Sequence, residues 1–360
     1  MKSSMMYVVL TMGLALCKKK DKGSKYYVYG GGGATFMVDT YNREDCFVVA
    51  RFAMSPKCTR FVSGKFFLND SGLSVSTKST KLLQSFVNKV LLANNDTIYN
   101  MGKGMAQKNL DMPSFRNLDI PVPPLQEQER IVAELDLLTE IIDKQKQQLK
   151  ELDTLAQSIF YDMFGNPDTN SKGWLVKKLG ELCKSDLGKT LNASKDTGKM
   201  RPYLCAINIH WNEIDLSTLK QTKFEDEELE RYSVVKGDLL VCEGGDVGRS
   251  AIWKEDKVIQ YQNALHRIRF GKEIIAIYCL FVFQYLKVNG ILDGRYGKGV
   301  TIKHLVKSSL LSIPIPVPPI EFQREFADKI QSIESQKESI NRSIAESQKL
   351  FDYTMDKYFG

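Results

Sequence analysis

Residues 185–190 read SDLGKT and end in the Gly-Lys-Thr of a phosphate-binding loop. That loop cradles phosphates with backbone N–H groups and needs a glycine five residues before Gly188. Cys183 stands there, so nucleotide binding is not expected. Glu243-Gly244-Gly245-Asp246-Val247-Gly248-Arg249-Ser250 sets two carboxylates among glycines. No third carboxylate or lysine stands at a nuclease-like spacing, so the segment reads as a turn capped by Asp246, with Arg249 free to meet a phosphate or a guanine. Gln262-Asn263-Ala264-Leu265-His266-Arg267 packs amide, imidazole and guanidinium donors into six residues. Asn and Gln pair with adenine and Arg with guanine in the major groove, although a surface strand could hold the same residues idly. Gly30–Gly33, after Tyr26, Tyr27 and Tyr29, reads as a wide hairpin turn, and glycine also lets a backbone approach a ligand closely. No Ser/His/Asp arrangement is present.

The wider composition narrows the chemistry further. The cysteines Cys17, Cys46, Cys58, Cys183, Cys205, Cys242 and Cys279 form no CxxC pair and read as reduced thiols of a cytoplasmic protein. His210, His266 and His304 lack ligand-like spacing, so no structural zinc is expected. Asn166-Pro167-Asp168 shares its first two residues with the NPP[FY] tetrapeptide of DNA amino-methyltransferases. It lacks the second proline and the aromatic, and reads as a turn. Met5–Cys17 is an apolar run with Lys2 before it and Lys18–Lys20 after it, too short to span a bilayer, and reads as a buried first strand rather than a targeting signal.

A repeat decides which elements position these residues. GKGMAQKNL at 102–110 recurs as GKGVTIKHL at 297–305, IPVPP at 120–124 recurs at 315–319, and Phe164-Gly165 recurs at Phe359-Gly360. All three matches share an offset of 195 residues, so the chain holds two copies of one plan. Proline stops whatever precedes each cluster, and a long apolar seam follows. Its first version is Ile131, Leu135, Leu138, Ile142, Gln145, Leu149, Leu152, Ala156, Ile159 and Met163. Its second is Phe326, Ile330, Ile333, Lys337, Ile340, Ile344, Ser347, Phe351, Thr354 and Tyr358. Steps of four and three mark a coiled-coil seam, predicting helices over Leu125–Met163 and Ile320–Tyr358 that pack antiparallel. Gln145 and Lys337 either fix the pairing register or are local imperfections.

The fold class expected is α+β: two mixed α/β domains separated by two long antiparallel coiled-coil helices, a pseudo-twofold repeat. The predicted domains are 1–119; 120–165, a proline element and long helix; 166–173, a linker; 174–312; and 313–360, a second proline element and helix. Short strands such as 47–52, 64–70, 237–245 and 250–253 build the mixed domains, each with one helix, near Lys81–Leu92 and Glu273–Val288. Net charge follows this partition: +9 for 1–119, −5 for 120–173, +5 for 174–312 and −2 for 313–360. Basic domains attract phosphate backbones, whereas the acidic helices suit a protein partner.

The segments PVPPLQEQERIV (121–132) and PVPPIEFQREFA (316–327), WLVKKLGEL (174–182), GDLLVCEGGDVGRSAIW (237–253) and the two GKG elements resemble the specificity subunit of a type I restriction–modification enzyme. The resemblance covers nearly the whole chain. It implies two target recognition domains that each read half of a split double-stranded DNA target. It also implies two spacer helices that dock two methyltransferase subunits and, through them, restriction subunits. Catalysis, AdoMet, ATP and magnesium would belong to those partners, and this chain would bind no cofactor or metal. At an offset of −195, Trp174 falls before residue 1, so the first domain reads as shortened at its start by about 21 residues, with Tyr7-Val8-Val9-Leu10 as a remnant of the LVKKLGEL opening. Candidate DNA contacts are Tyr29, Arg51, Lys57, Arg60, Lys103, Gln107 and Lys108 in the first domain. In the second they are Lys189, Arg201, Arg249, Ser250, Gln262, Asn263, His266, Arg267, Lys298 and Lys303. The competing readings are a coiled-coil scaffold with protein-binding domains, a truncated or silent specificity cassette, and a stand-alone nuclease that lacks a catalytic constellation.

Overall fold

The computed structural model describes residues 4–16, 21–192, 194, 196–299 and 303–360. Cys17 with Lys18–Lys20, Lys2, and residues 300–302 of the second GKG element lie outside them. The chain forms two compact units, Met1–Gln147 with Ile340–Gly360, and Gln148–Ser339.

In the first unit, β1 (Val8–Met12), β2 (Tyr26–Gly30), β3 (Gly33–Val38), β4 (Arg43–Ala50), β5 (Thr59–Leu68) and β6 (Gly72–Thr77) form one sheet in the order β1-β6-β4-β5-β2-β3. β4 lies inside the sheet, and Phe47–Ala50 are all buried. Phe47 and Val49 face one apolar cluster and Val48 another, so the strand reads as a continuous apolar run. α1 (Gln84–Ala93) covers one face with Phe86, Val87, Val90 and Leu91. The short α2 (Asn95–Asn100), β7 (Gly102–Lys103), β8 (Asn109–Leu110) and α3 (Met112–Arg116) lead to the long α4 (Leu125–Phe164).

Two expectations change here. The first strand is an edge strand: only Val8 is buried, and Met12 and Leu14 are 55% and 59% exposed, because β1 has a partner on one side alone. The glycine run is a tight turn rather than a wide one, with Gly30 opposite Gly33. A Cβ on Gly31 would stand 2.0 Å from the Phe52 carbonyl oxygen, so only glycine fits.

In the second unit, β9 (Leu175–Lys178) and α5 (Leu179–Leu182) precede β10 (Cys183–Leu187), β11 (Lys199–Leu204) and the small β12–β13 hairpin (Ile209–His210 and Glu213–Ile214). β14 (Lys220–Phe224), α6 (Glu228–Arg231), β15 (Ser233–Val234), β16 (Leu239–Cys242), β17 (Ser250–Ile252), β18 (Ile259–Tyr261) and β19 (Leu265–Phe270) follow. They make two four-stranded sheets, β10-β19-β16-β17 and β14-β11-β18-β15. α7 (Ala276–Val288) and α8 (Lys307–Leu311) come next, then β20 (Pro314–Val317), which pairs with β9, and the long α9 (Ile320–Phe359).

Strand pairing gives the repeat its third correction. Leu14 bridges Asn69 in parallel as Lys189 bridges Gln262, and β1 pairs with β6 as β10 pairs with β19. Gly13 therefore matches Gly188, an offset of 175, while Asn69 matches Gln262, an offset of 193. Val8–Leu10 stand in for β10 rather than for the LVKKLGEL opening, and much of the length difference between the copies lies inside the domain, between Met12 and Leu73.

Each unit takes half of both long helices. In the first, Glu134 accepts from the Tyr358 hydroxyl at 2.8 Å and the Gln145 amide donates to the Ser343 hydroxyl at 2.7 Å. In the second, Lys337 pairs with Asp153 at 2.8 Å, and the rings of Phe160 and Phe164 pack on Phe326. Rising numbers on α4 meet falling numbers on α9, so the pairing is antiparallel. Ile131, Leu135, Leu138, Ile142, Ala156, Phe326, Ile330, Ile333 and Thr354 are buried as the seam requires. Toward the end of α4 the expected seam positions Ile159 and Met163 are only half-buried, and Phe160 and Phe164 take the buried face. A 3.6-residue helix drifts from a 3.5-residue pattern, so the next position turns inward. Gln145 and Lys337 each bond across the seam.

Candidate nucleic-acid interface

Three loops converge in the second unit. The loop after β16 is tied to the β18–β19 turn by the Glu243 N–H donating to Ala264 O at 3.0 Å. The Leu305 N–H donates to Glu243 O at 2.6 Å, Gly244 bridges His304, and Lys298 and His304 exchange two backbone bonds of 2.8 Å. The fit is close, since a Cβ on Gly244 would stand 3.0 Å from the His304 ring at Nδ1. The first unit repeats the construction. Arg51 N–H donates to Ser71 O at 2.8 Å, and Leu110 N–H to Arg51 O at 2.8 Å. Met54 N–H donates to Lys108 O at 2.9 Å.

This geometry brings Arg51, Lys103 and Lys108 together on one rim, and Gln262, Asn263, Lys298 and Lys303 on the other. Lys57, Lys103, Gln107 and Lys298 are exposed, and Arg51, Lys108, Gln262, Asn263 and Lys303 half-buried. The Arg51 guanidinium lies 4.4 Å above the Phe52 ring and the Lys108 amine 4.0 Å above that of Tyr99. Lys103 leans on Asp111 at 3.0 Å but stays 75% exposed.

Other candidates are spent inside the domains. Arg60 donates to Lys57 O at 2.6 Å and reaches Gly31 O at 3.4 Å, pinning the glycine hairpin, and burial pulls its pKa down. Tyr29 packs edge-on against Phe66. Lys189 is buried: it donates to Lys223 O at 3.0 Å and to Glu228 at 2.6 Å, with Asp196 at 3.4 Å. Burial opposes its charge, but the Glu228 hydrogen bond and ion pair outweigh it and hold its pKa above the usual lysine value. Ser250 and His266 are fully buried, and Arg267 nearly so. Arg267 donates to Ser233 O at 2.5 Å and pairs with Asp186 at 3.2 Å. Burial lowers the His266 pKa, so the ring is neutral at pH 7 with Nε2 2.7 Å from Leu305 O.

The reason these last residues are interior is that β16 and β19 have both sheet faces covered. Leu239, Val241 and Ile268 join one core cluster; Leu240, Cys242 and Leu265 join another. The QNALHR segment is thus split by the start of β19: Gln262 and Asn263 on the rim, His266 and Arg267 in the wall. Arg249 is half-buried and donates to Ala206 O at 2.8 Å, holding its loop. Arg201 lies on β11, 3.8 Å from Asp226. Asp246 pairs with Lys287 at 2.7 Å, and among the described residues no cluster of three or more His, Cys, Asp or Glu side chains could hold a metal ion. Asn166 forms the expected turn, its side chain accepting from the N–H groups of Asp168 and Thr169. Among the described residues no helix is long and apolar enough to cross a membrane.

Sequence reasoning passed over Gln128 and Gln323, which hold the proline elements onto the domains. Both are fully buried. Gln128 Nε2 donates to Lys81 O and Pro123 O, both at 2.8 Å, and Oε1 accepts from Leu83 N–H at 2.9 Å. Gln323 does the same with Glu273 O, Pro318 O and Ile275 N–H. The offset of 195 between two identical polar residues was the available signal.

The sequence matches the type I restriction modification DNA specificity domain over residues 41–154 and 171–347. The specificity subunit of the type I restriction enzyme EcoBI of Escherichia coli is 24% identical over 264 residues, covering 66% of this chain and 56% of that one. The EcoKI specificity subunit of Escherichia coli K12 is 22% identical over 270 residues, with 69% and 57% covered. The chain thus spans little more than half the length of either relative. In fold it is similar to the S subunit of a type I restriction–modification system from M. genitalium, with TM-score 0.58, 17% identity, and 99% and 94% of the two chains covered. With most of its sequence matched, this chain belongs to the type I restriction modification DNA specificity family.

Proposed function

We propose that the chain is the DNA-reading subunit of a type I restriction–modification enzyme, and that each unit reads one half of a split double-stranded target. The observation that carries this reading is the rim built twice. The same three loops are tied by the same backbone bonds, with Lys103 and Lys108 in one copy where Lys298 and Lys303 stand in the other. Paired lysines on a hairpin tied to the loop suit phosphates flanking the bases to be read. The acidic long helices suit two methyltransferase subunits, with restriction subunits joining through them. In this reading the chain is non-catalytic and works in the cytoplasm. AdoMet, ATP and magnesium serve the partners.

The test is methylome sequencing of cells with and without the gene, together with DNA binding by the purified chain. A split motif lost on deletion supports the reading, and an unchanged methylome with no DNA binding refutes it. Binding of a protein by the mixed units, with no DNA affinity, would favour the scaffold instead.

A further inference from the structure

The two copies hold one loop in one place and arm it with opposite charge. Arg51 follows the last residue of β4 and Glu243 the last residue of β16. Each donates its N–H to the turn before the strand paired with its own, at Ser71 before β6 or Ala264 before β19, and each accepts at its carbonyl from the leucine that closes the lysine hairpin, Leu110 or Leu305. The backbone positions are equivalent and the side chains are not. Arg51 presents a guanidinium resting on the Phe52 ring. Glu243 presents a half-buried carboxylate that makes no hydrogen bond or ion pair with any described residue.

The neighbouring turn differs in the same sense. Asn69 spends its side-chain oxygen on the Ser71 N–H at 3.0 Å. Gln262, which occupies the equivalent place, and Asn263 beside it are half-buried, and their amides bond to no described residue. The second rim thus carries one carboxylate and two uncommitted amides beside the hairpin that bears Lys298 and Lys303.

A carboxylate is repelled by phosphates and gains only where it meets a donor. In the major groove the donors are the exocyclic amino groups, cytosine N4 and adenine N6, whereas guanine offers the acceptors that suit arginine. We infer that Glu243 is a specificity-determining residue that accepts a hydrogen bond from the amino group of a cytosine or adenine in the half-site read by the second unit, and that Arg51, at the equivalent position, selects guanine in the other half-site. The inference rests on the DNA-reading function proposed above. The same carboxylate rejects guanine and thymine by facing their carbonyl oxygens, so it works by exclusion as well as attraction.

The experiment is affinity selection from randomised duplex DNA with the full-length chain and its Glu243→Ala, Glu243→Gln and Arg51→Ala variants. The unaltered chain is expected to enrich a two-part motif. Glu243→Ala should lose discrimination roughly ten- to a hundredfold at one amino-bearing base in one half, leaving the other half unchanged. Whether that base is cytosine or adenine names the donor. Glu243→Gln, which keeps the shape of the loop, should shift the preference there toward adenine, and Arg51→Ala should relax a guanine in the opposite half. A motif unchanged in both Glu243 variants, or affinity lowered equally for every sequence, overturns the inference and leaves the DNA-reading function standing. No enriched motif with the unaltered chain overturns both.

Discussion

Gln128 and Gln323, 195 residues apart, make the same three hydrogen bonds in the two copies. Each side chain satisfies the backbone N–H of the residue preceding a domain helix, Leu83 before α1 and Ile275 before α7, and grips the proline cluster with its amide. A buried N–H or carbonyl left without a partner costs about 1–3 kcal/mol. Gln323→Leu should therefore lower the stability of the second unit by at least that amount, and Gln128→Leu that of the first. Urea unfolding followed by tryptophan fluorescence checks the second unit directly, since Trp174, Trp211 and Trp253 all lie there. An unshifted midpoint in Gln323→Leu would show that the clamp is incidental.

His266 makes the second unit sensitive to acid. Burial lowers its pKa below the ordinary value of 6.5, so the unfolded chain takes up a proton at a pH where the folded chain does not. Its contribution is full above the unfolded value and is lost as pH falls below about 6.5, at no more than about 1.4 kcal/mol per pH unit. His266→Gln should flatten that part of the stability–pH curve between pH 7 and 5. An identical slope in the variant would place the acid sensitivity elsewhere. Because the ring holds Leu305 O and Leu305 N–H holds Glu243 O, DNA binding should weaken over the same range.

Arg267 and Asp186 give a prediction opposite in kind to the one the residue types suggested. The arginine is a strut between β19, β10 and β15, so Arg267→Ala should cost about 1.5–3 kcal/mol of stability for its charged hydrogen bonds. Any base preference retained by the folded variant should be unchanged. Altered preference at one base, with stability intact, would return Arg267 to the interface.

What the sequence could show follows from what is periodic and what is not. The heptad seam and its 195-residue echo place α4 and α9 to within a residue, because a seam is a property of spacing alone. The convergence of Arg51 with the 102–110 hairpin, or of Glu243 with Ala264, depends on pairings distant in sequence, which no local pattern records. Residue type also misled where a strand is covered on both faces. His266 and Arg267 carry donors suited to base edges, yet a second sheet turns them into wall residues. The spacing of Gln145 and Lys337 does not name their partners, Ser343 and Asp153, because these lie on the facing helix.

That seam yields a further test. The Gln145–Ser343 bond leaves Gln145 Oε1 buried with no partner. Replacing both residues by leucine removes the unsatisfied acceptor and adds apolar contact, so the melting temperature should rise, while the polar contact across the seam is lost. A drop in melting temperature would show that the pair stabilises on balance.

The lysines of the two rims separate affinity from reading. Lys103 and Lys298 are exposed on the hairpins tied to the loops, which suits a phosphate contact rather than a base contact. Neutralising a phosphate contact releases one counterion fewer, so Lys298→Ala should weaken binding to every duplex alike and reduce the slope of log affinity against log salt by about 1. Lys103→Ala should do the same, and the two losses should add if the two rims meet separate phosphates. The enriched motif should stay as it is in the single and double variants. A salt slope unmoved by the double replacement would take the lysine hairpins off the DNA, and a motif altered by either one would make that lysine a base reader.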